Sequence, residues 1–250
     1  MSVRTGLVSV TFRQLAVEEV VEVAVRAGLA AIEWGGDIHV PFGDLPAARK
    51  ARALCEDNGL AIAAYGSYLR AGSVDREEMR TAVSTAAELG APRIRVWAGS
   101  VGTADAGVGD RMAVTRGLAE LADVAAGSGI DVAMEFHRGT LTDEVDSTIT
   151  LLLDVGAPNL KTYWQPPVDT REGECLEQLE ALMPWLSTVH VFSWWPSNNR
   201  LPLAARKSLW RPVLDRLAAE PREINALLEF VADDSVDQFA ADAADLHSWV

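Results

Sequence analysis

Eight short runs of β-branched and apolar residues alternate with eight longer amphipathic stretches along the 250 residues, and no linker or low-complexity tract interrupts them. Such alternation specifies a parallel sheet with helices packed outside it, an α/β fold, and eight units are the number that closes a barrel. The sequence therefore predicts a single (β/α)8 TIM barrel, with residues 1–250 as one domain. A doubly wound open sheet would carry a glycine-rich phosphate turn after its first strand, and Thr11-Phe12-Arg13-Gln14-Leu15 offers none.

The elements follow in order. Residues 7–12 read as strand one, and residues 17–27 as a helix in which Val20, Val21, Ala24 and Val25 recur at helical spacing until Gly28 stops it. Strand two is 31–34, followed by a helix at 45–58 that Gly59 closes. Residues 60–65 give strand three and 75–89 its helix, with Gly90 as the stop. The remaining strands are read at 94–97, 130–136, 160–164, 189–192 and 224–231. Their helices are read at 110–126, 143–155, 175–185, 205–219 and 237–250.

Composition narrows the function classes. At 49% hydrophobic and 23% charged, the chain has apolar material for one large core. A net charge of −14 repels phosphodiester backbones and anionic lipid, so neither nucleic acid nor membrane is expected as a partner. Cys55 and Cys175 lie far apart without metal-ligand spacing and read as reduced packing residues. Residues 1–6 hold no apolar signal core, and no run reaches the ~18 residues of a membrane span. A soluble, cytoplasmic protein is expected, with a homo-oligomer left open.

In a barrel of this kind, chemistry sits where strands end and loops begin. Glu135, His190 and Glu229 fall there on strands five, seven and eight, each flanked by apolar residues where an unpaired charge is expensive to bury. Any one alone reads first as part of a buried ion pair or as a hydrogen-bonded core histidine. Three on one barrel point to metal ligation, which satisfies carboxylate oxygens and an imidazole together. Trp97, Trp164 and Trp194, with Trp34 and Trp195, also stand at strand ends, and aromatic faces stack on the C–H faces of sugars. Tyr65, His39 and His137 are read as further cleft residues, and Arg200 as a ligand for a carboxylate, phosphate or hydroxyl. No Walker-type anion cradle appears, so a sugar phosphate is not favoured.

The segments Val132-Ala133-Met134-Glu135-Phe136-His137-Arg138-Gly139-Thr140, Val189-His190-Val191-Phe192 and Leu228-Glu229 resemble the xylose-isomerase-like sugar isomerase/epimerase superfamily. Ser9-Val10-Thr11-Phe12 and Ile32-Glu33-Trp34-Gly35 resemble its first two strands, so the likeness spans essentially the whole chain. The resemblance implies a divalent metal held by Glu135, Gln165, His190 and Glu229. Gln165 departs from the aspartate usual at the strand-six position, and the histidine often found just after it is missing from Gln165-Pro166-Pro167-Val168. A neutral amide oxygen weakens the site and favours Mn²⁺ or Mg²⁺ over a tight Zn²⁺ site.

The implied activity is a metal-dependent isomerase or epimerase acting on a keto-sugar or cyclitol. In it Glu135 and Glu229 serve as general base and acid at the carbon next to the carbonyl, through an enediolate. Two alternatives stand beside it. One is a lyase, a dehydratase or decarboxylase, acting on an oxidised sugar. The other is a non-catalytic carbohydrate-binding or partner subunit, which the neutral Gln165 supports. Endonucleases of the same fold need additional His and acidic ligands, and this chain has four histidines in all.

Overall fold

In the computed structural model, which describes residues 3–250, eight parallel strands close on themselves. Met1 and Ser2, the start of the opening segment read above, lie outside the described residues. The barrel strands are β1 (Val3–Val8), β2 (Ala31–Gly35), β3 (Ala61–Arg70), β4 (Arg93–Trp97), β5 (Asp131–Met134), β6 (Leu160–Trp164), β7 (Leu186–Val191) and β10 (Ile224–Leu228). Two short strands between them, β8 (Ser193–Trp194) and β9 (Arg200–Leu201), pair antiparallel as a separate hairpin. The helices are α1 (Val17–Arg26), α2 (Leu45–Asp57), α3 (Arg76–Leu89), α4 (Val108–Ala126), α5 (Val145–Val155), α6 (Glu172–Leu182), α7 (Lys207–Ala218) and α8 (Val236–Trp249). Around the barrel the order is β1-β10-β7-β6-β5-β4-β3-β2, so chain order is kept and β1 seals against β10 through the register Val3↔Ile224 to Leu7↔Leu228.

Three local expectations need correction. The first strand is Val3–Val8, earlier than 7–12, because Val3–Leu7 and Gly6–Val8 find partners on β10 and β2. Ser9–Phe12 instead forms a 3₁₀ turn, which the Ser9 hydroxyl holds by accepting from the Gly35 amide at 2.9 Å. β3 runs on to Arg70, with a shift of register after Gly66. The β8–β9 hairpin has no counterpart in the sequence reading.

Alternation along the strands divides the protein into shell and lumen. On β4, Ile94 and Val96 join one large apolar cluster shared with the helices, while Arg93, Arg95 and Trp97 take the other face. Inside the barrel the apolar contacts are small: Val8, Val10, Ala31, Ala63 and Leu227 in one group, Ala64, Ala133 and Tyr163 in another. Small side chains leave interior volume for long polar ones. Gly66 shows the limit, since a Cβ there would lie 2.8 Å from Arg95 Nη2 and 3.2 Å from Glu33 Oε1.

Candidate active site at the barrel mouth

The lumen carries a polar network that ends in an open cavity of about 400 Å³. At its base Arg95 of β4, 3% exposed, donates from Nε to Glu33 Oε1 of β2 at 2.7 Å and from Nη1 to Glu135 Oε2, just past β5. Tyr163 of β6 gives its hydroxyl proton to the other oxygen of Glu33 at 2.9 Å, and Trp97 Nε1 donates to Glu135 Oε2 at 2.5 Å. One buried cation therefore serves two buried carboxylates, with further donors on each.

The opposite side is arranged differently. His190 of β7 is fully buried, and its Nδ1 stands 3.1 Å from Gln165 Oε1, 3.4 Å from Glu229 Oε2 and 3.7 Å from Glu135 Oε1. One ring nitrogen carries at most one proton, so it can answer only one of these three acceptors as a donor. Its Nε2 lies 3.7 Å from Glu33 Oε2 and makes no hydrogen bond. The four residues implied as metal ligands are thus brought together. Among the described residues, however, no group of three or more His, Cys, Asp or Glu side chains stands ready-made for a metal ion. Glu135 turns one oxygen away to Arg95 and Trp97, and that leaves the set looser than a closed site.

Electrostatics sharpen the contrast. Burial pushes the Glu33 carboxyl up, but Arg95, His190 and the Tyr163 hydroxyl outweigh it and bring it to about 2. Burial also raises Glu135, and Arg95 first, then His190, His137 and Trp97, hold it below the ordinary carboxylate value. Glu229 has no such partner. Burial dominates, His190 opposes and the charge of Glu135 adds, leaving it at about 7. His190 is lowered by burial yet ends above its ordinary value, because Glu229, Glu33 and Glu135 face it.

Of the residues expected to bind substrate, Trp97, His137 and Trp194 line the cavity. His137 packs on Trp97 with ring centroids 5.4 Å apart, and its Nδ1 lies 2.7 Å from the Arg138 carbonyl. A carbonyl only accepts, so Nδ1 is the donor in this contact. The other expected residues are not on the cavity wall. His39 is buried between Ser9 Oγ at 2.9 Å and the Leu15 carbonyl at 3.2 Å. Tyr65 donates its hydroxyl to the Val40 carbonyl, and Trp164 packs in the outer shell on Trp210. Each has its polar or aromatic face taken up by the outer packing. Arg200 is ion-paired with Asp234, its guanidinium 4.9 Å from the Phe230 ring centroid, so it braces the rim from behind.

Arg13, Tyr68, Arg95, Arg138 and Phe230 line the cavity unforeseen. Arg95 carried a readable signal, a charge between Ile94 and Val96 like that of Glu135 in its own strand, and so did Glu33 between Ile32 and Trp34. Tyr68 lies past the expected end of strand three and Phe230 inside the expected strand eight, and both sit in left-handed backbone, at φ of 59° and 47°, that turns them toward the cavity.

The likeness to other proteins agrees with this architecture. A curated relative, 3-dehydroshikimate dehydratase of Bacillus anthracis, is 26% identical over 200 residues, covering 74% of this chain and 70% of its own. The crystal structure of the probable 3-DHS dehydratase AsbF of Bacillus anthracis superposes with a TM-score of 0.82 at 20% identity, covering 98% of each chain. That of a D-allulose 3-epimerase from Methylomonas sp. superposes with a TM-score of 0.73 at 16% identity, covering 99% of this chain and 97% of its own. At such identities the superpositions speak for the fold alone. The family described as xylose isomerase-like TIM barrel matches residues 21–167, more than half of the sequence, and the chain belongs to that family.

Proposed function

We propose that the protein is a lyase that removes water from a small hydroxylated ring ketone, of the kind that 3-dehydroshikimate represents, with a divalent cation as cofactor. The observation that carries this reading is the setting of His137: an imidazole on the cavity wall whose Nδ1 is engaged by the Arg138 carbonyl at 2.7 Å, which leaves Nε2 as the ring atom for proton transfer. Glu135, the base that a two-glutamate mechanism requires, already accepts from both Arg95 and Trp97. An elimination balances with one proton carrier. His137 Nε2 takes the proton from the carbon beside the carbonyl, the C–O bond of the neighbouring hydroxyl breaks as the C=C bond forms, and the same nitrogen protonates the departing oxygen. Epimerisation, by contrast, needs proton carriers on opposite faces of one carbon.

Glu135, Gln165, His190 and Glu229 would hold the cation, since their donor atoms already converge around His190 Nδ1. When bound, it would supply a Lewis acid for the ketone oxygen. Trp97 and Trp194 wall the cavity with aromatic faces, and the exposed Arg138 stands at its rim for an acidic substituent. The similarity to the Bacillus anthracis dehydratase supports this reading.

The test is to incubate the protein and 3-dehydroshikimate with Mn²⁺ or Mg²⁺ and follow loss of water by mass. His137→Gln should lower kcat by ~10²–10⁴ with metal content unchanged. Full activity in that variant would remove His137 from the mechanism. An epimerase stands as the second reading, because Glu229 faces the same cavity with no donor fixing its carboxyl. Solvent deuterium entering a keto-sugar without loss of water would favour it over the lyase.

A further inference from the structure

A second cavity, of about 480 Å³, opens between the loop that leads into α6 and the β8–β9 hairpin, lined by Thr170, Arg171, Glu172, Trp195, Ala205 and Arg206. Arg206 is 5% exposed. Arginine is almost never buried to that degree unless paired, because an uncompensated charge is costly away from water. Its neighbours do not supply an anion. Nη1 reaches the Trp194 carbonyl at 3.4 Å, the guanidinium lies 5.4 Å from the Trp195 ring centroid, and the Cys175 thiol is beside it.

Of the other charges on the wall, one is answered by an ion pair and the other only by a hydroxyl. Arg171 pairs with Glu174, and the Glu172 carboxylate accepts from Ser208 Oγ at 2.9 Å. Among the described residues no carboxylate pairs with Arg206, although its planar fork offers five N–H donors. Beside it in the lining is the indole of Trp195, 40% exposed, large for an aromatic ring.

We propose that this cavity is an accessory oxyanion site, in which Arg206 binds the carboxylate or phosphate of a small metabolite whose body lies on Trp195. Fork-shaped pairing of guanidinium with oxyanion gives the geometry, and burial strengthens the pair relative to one in water. The site is separate from the barrel-mouth cavity and shares no lining residue with it.

The experiment is a thermal melt at fixed ionic strength with two probes, inorganic phosphate and benzoate. At a probe concentration about five times its Kd, the melting temperature of the wild type should rise by about 2–4 °C and then saturate as mass action requires. The probe that acts tells a phosphate site from a carboxylate site. Arg206→Met should abolish the rise and change the melting temperature little in the absence of probe, since methionine keeps a buried apolar stem and removes a charge that no carboxylate pairs. Arg138→Ala, at the rim of the other cavity, should keep the full response. No saturable rise with either probe, or a rise that survives Arg206→Met, overturns the proposal. Should Arg206→Met fail to fold, Trp195→Ala decides, with a weakened response expected and an unchanged one overturning the assignment. Dehydratase turnover in Arg206→Met reports separately on the barrel-mouth site.

Discussion

The two halves of the barrel mouth use the same residue type in opposite ways. On the β2–β4–β5 side, Glu33 and Glu135 are buried carboxylates answered by a protein cation, Arg95, and held ionised. On the β6–β7–β10 side, Glu229 is equally buried, faces a neutral Gln165 and a histidine, and is pushed to about 7. The first half is a closed ion network. The second lacks one positive charge, and that difference is what a bound cation would make good.

Breaking the closed half should produce the largest effect. Arg95→Met leaves two buried carboxylates without their cation, and removing one partner of a buried pair costs about 3–5 kcal/mol. Chemical denaturation should show a loss of that order, with partial recovery in Arg95→Met/Glu33→Gln. A loss below ~1 kcal/mol would mean that the network is solvated and the contrast is void.

A middle-sized effect comes from pH acting on the open half. Glu229 is raised from 4.5 to about 7, so folding disfavours its ionised form, and stability is lost as pH rises through that interval. His190, raised above 6.5, adds stability below that pH and gives it up as pH climbs through its folded value. The signs agree, so metal-free protein should lose on the order of 1–3 kcal/mol between about pH 5 and about pH 8. Glu33 and Glu135 are depressed and titrate below this window. Glu229→Gln should flatten the profile, and saturating Mn²⁺ should reverse it. A profile that Glu229→Gln leaves unchanged would place the titration elsewhere.

The smallest effect sharpens the comparison. Gln165→Asp adds a negative oxygen to the open half and should tighten Mn²⁺ binding by about tenfold or more in calorimetry. Equal or weaker affinity would take Gln165 out of the ligand set.

The barrel was legible because its signals are local: β-branched runs, helical spacing and stop glycines repeat eight times. Glu135, His190 and Glu229 were legible because each lies among apolar strand residues, Gln165 joined them only through the family resemblance, and the structure brings the four close together. Arg95 obeyed the same rule and went unread, since a single charge in a strand suggests a partner only when its opposite number is known, and Glu33 lies 62 positions earlier. His39, Tyr65 and Trp164 went the other way. They stand near strand ends in the sequence, but half the side chains of a barrel strand point out to the helices, and pattern alone does not say which half a terminal residue joins. Tyr68 and Phe230 depend on positive φ values that no residue type announces.

The separation of shell from lumen has a consequence for how such a protein can change over generations. The apolar cluster that joins strands to helices is continuous, whereas the lumen holds two small apolar groups and a network of long polar side chains that bond one another. A substitution in the lumen is therefore felt by its polar neighbours first and by the surrounding wall second. New chemistry can be drafted inside the barrel while the enclosing architecture is inherited intact. The narrowest passage for such drafting is Gly66, where even one methyl group would close the space that Arg95 and Glu33 share.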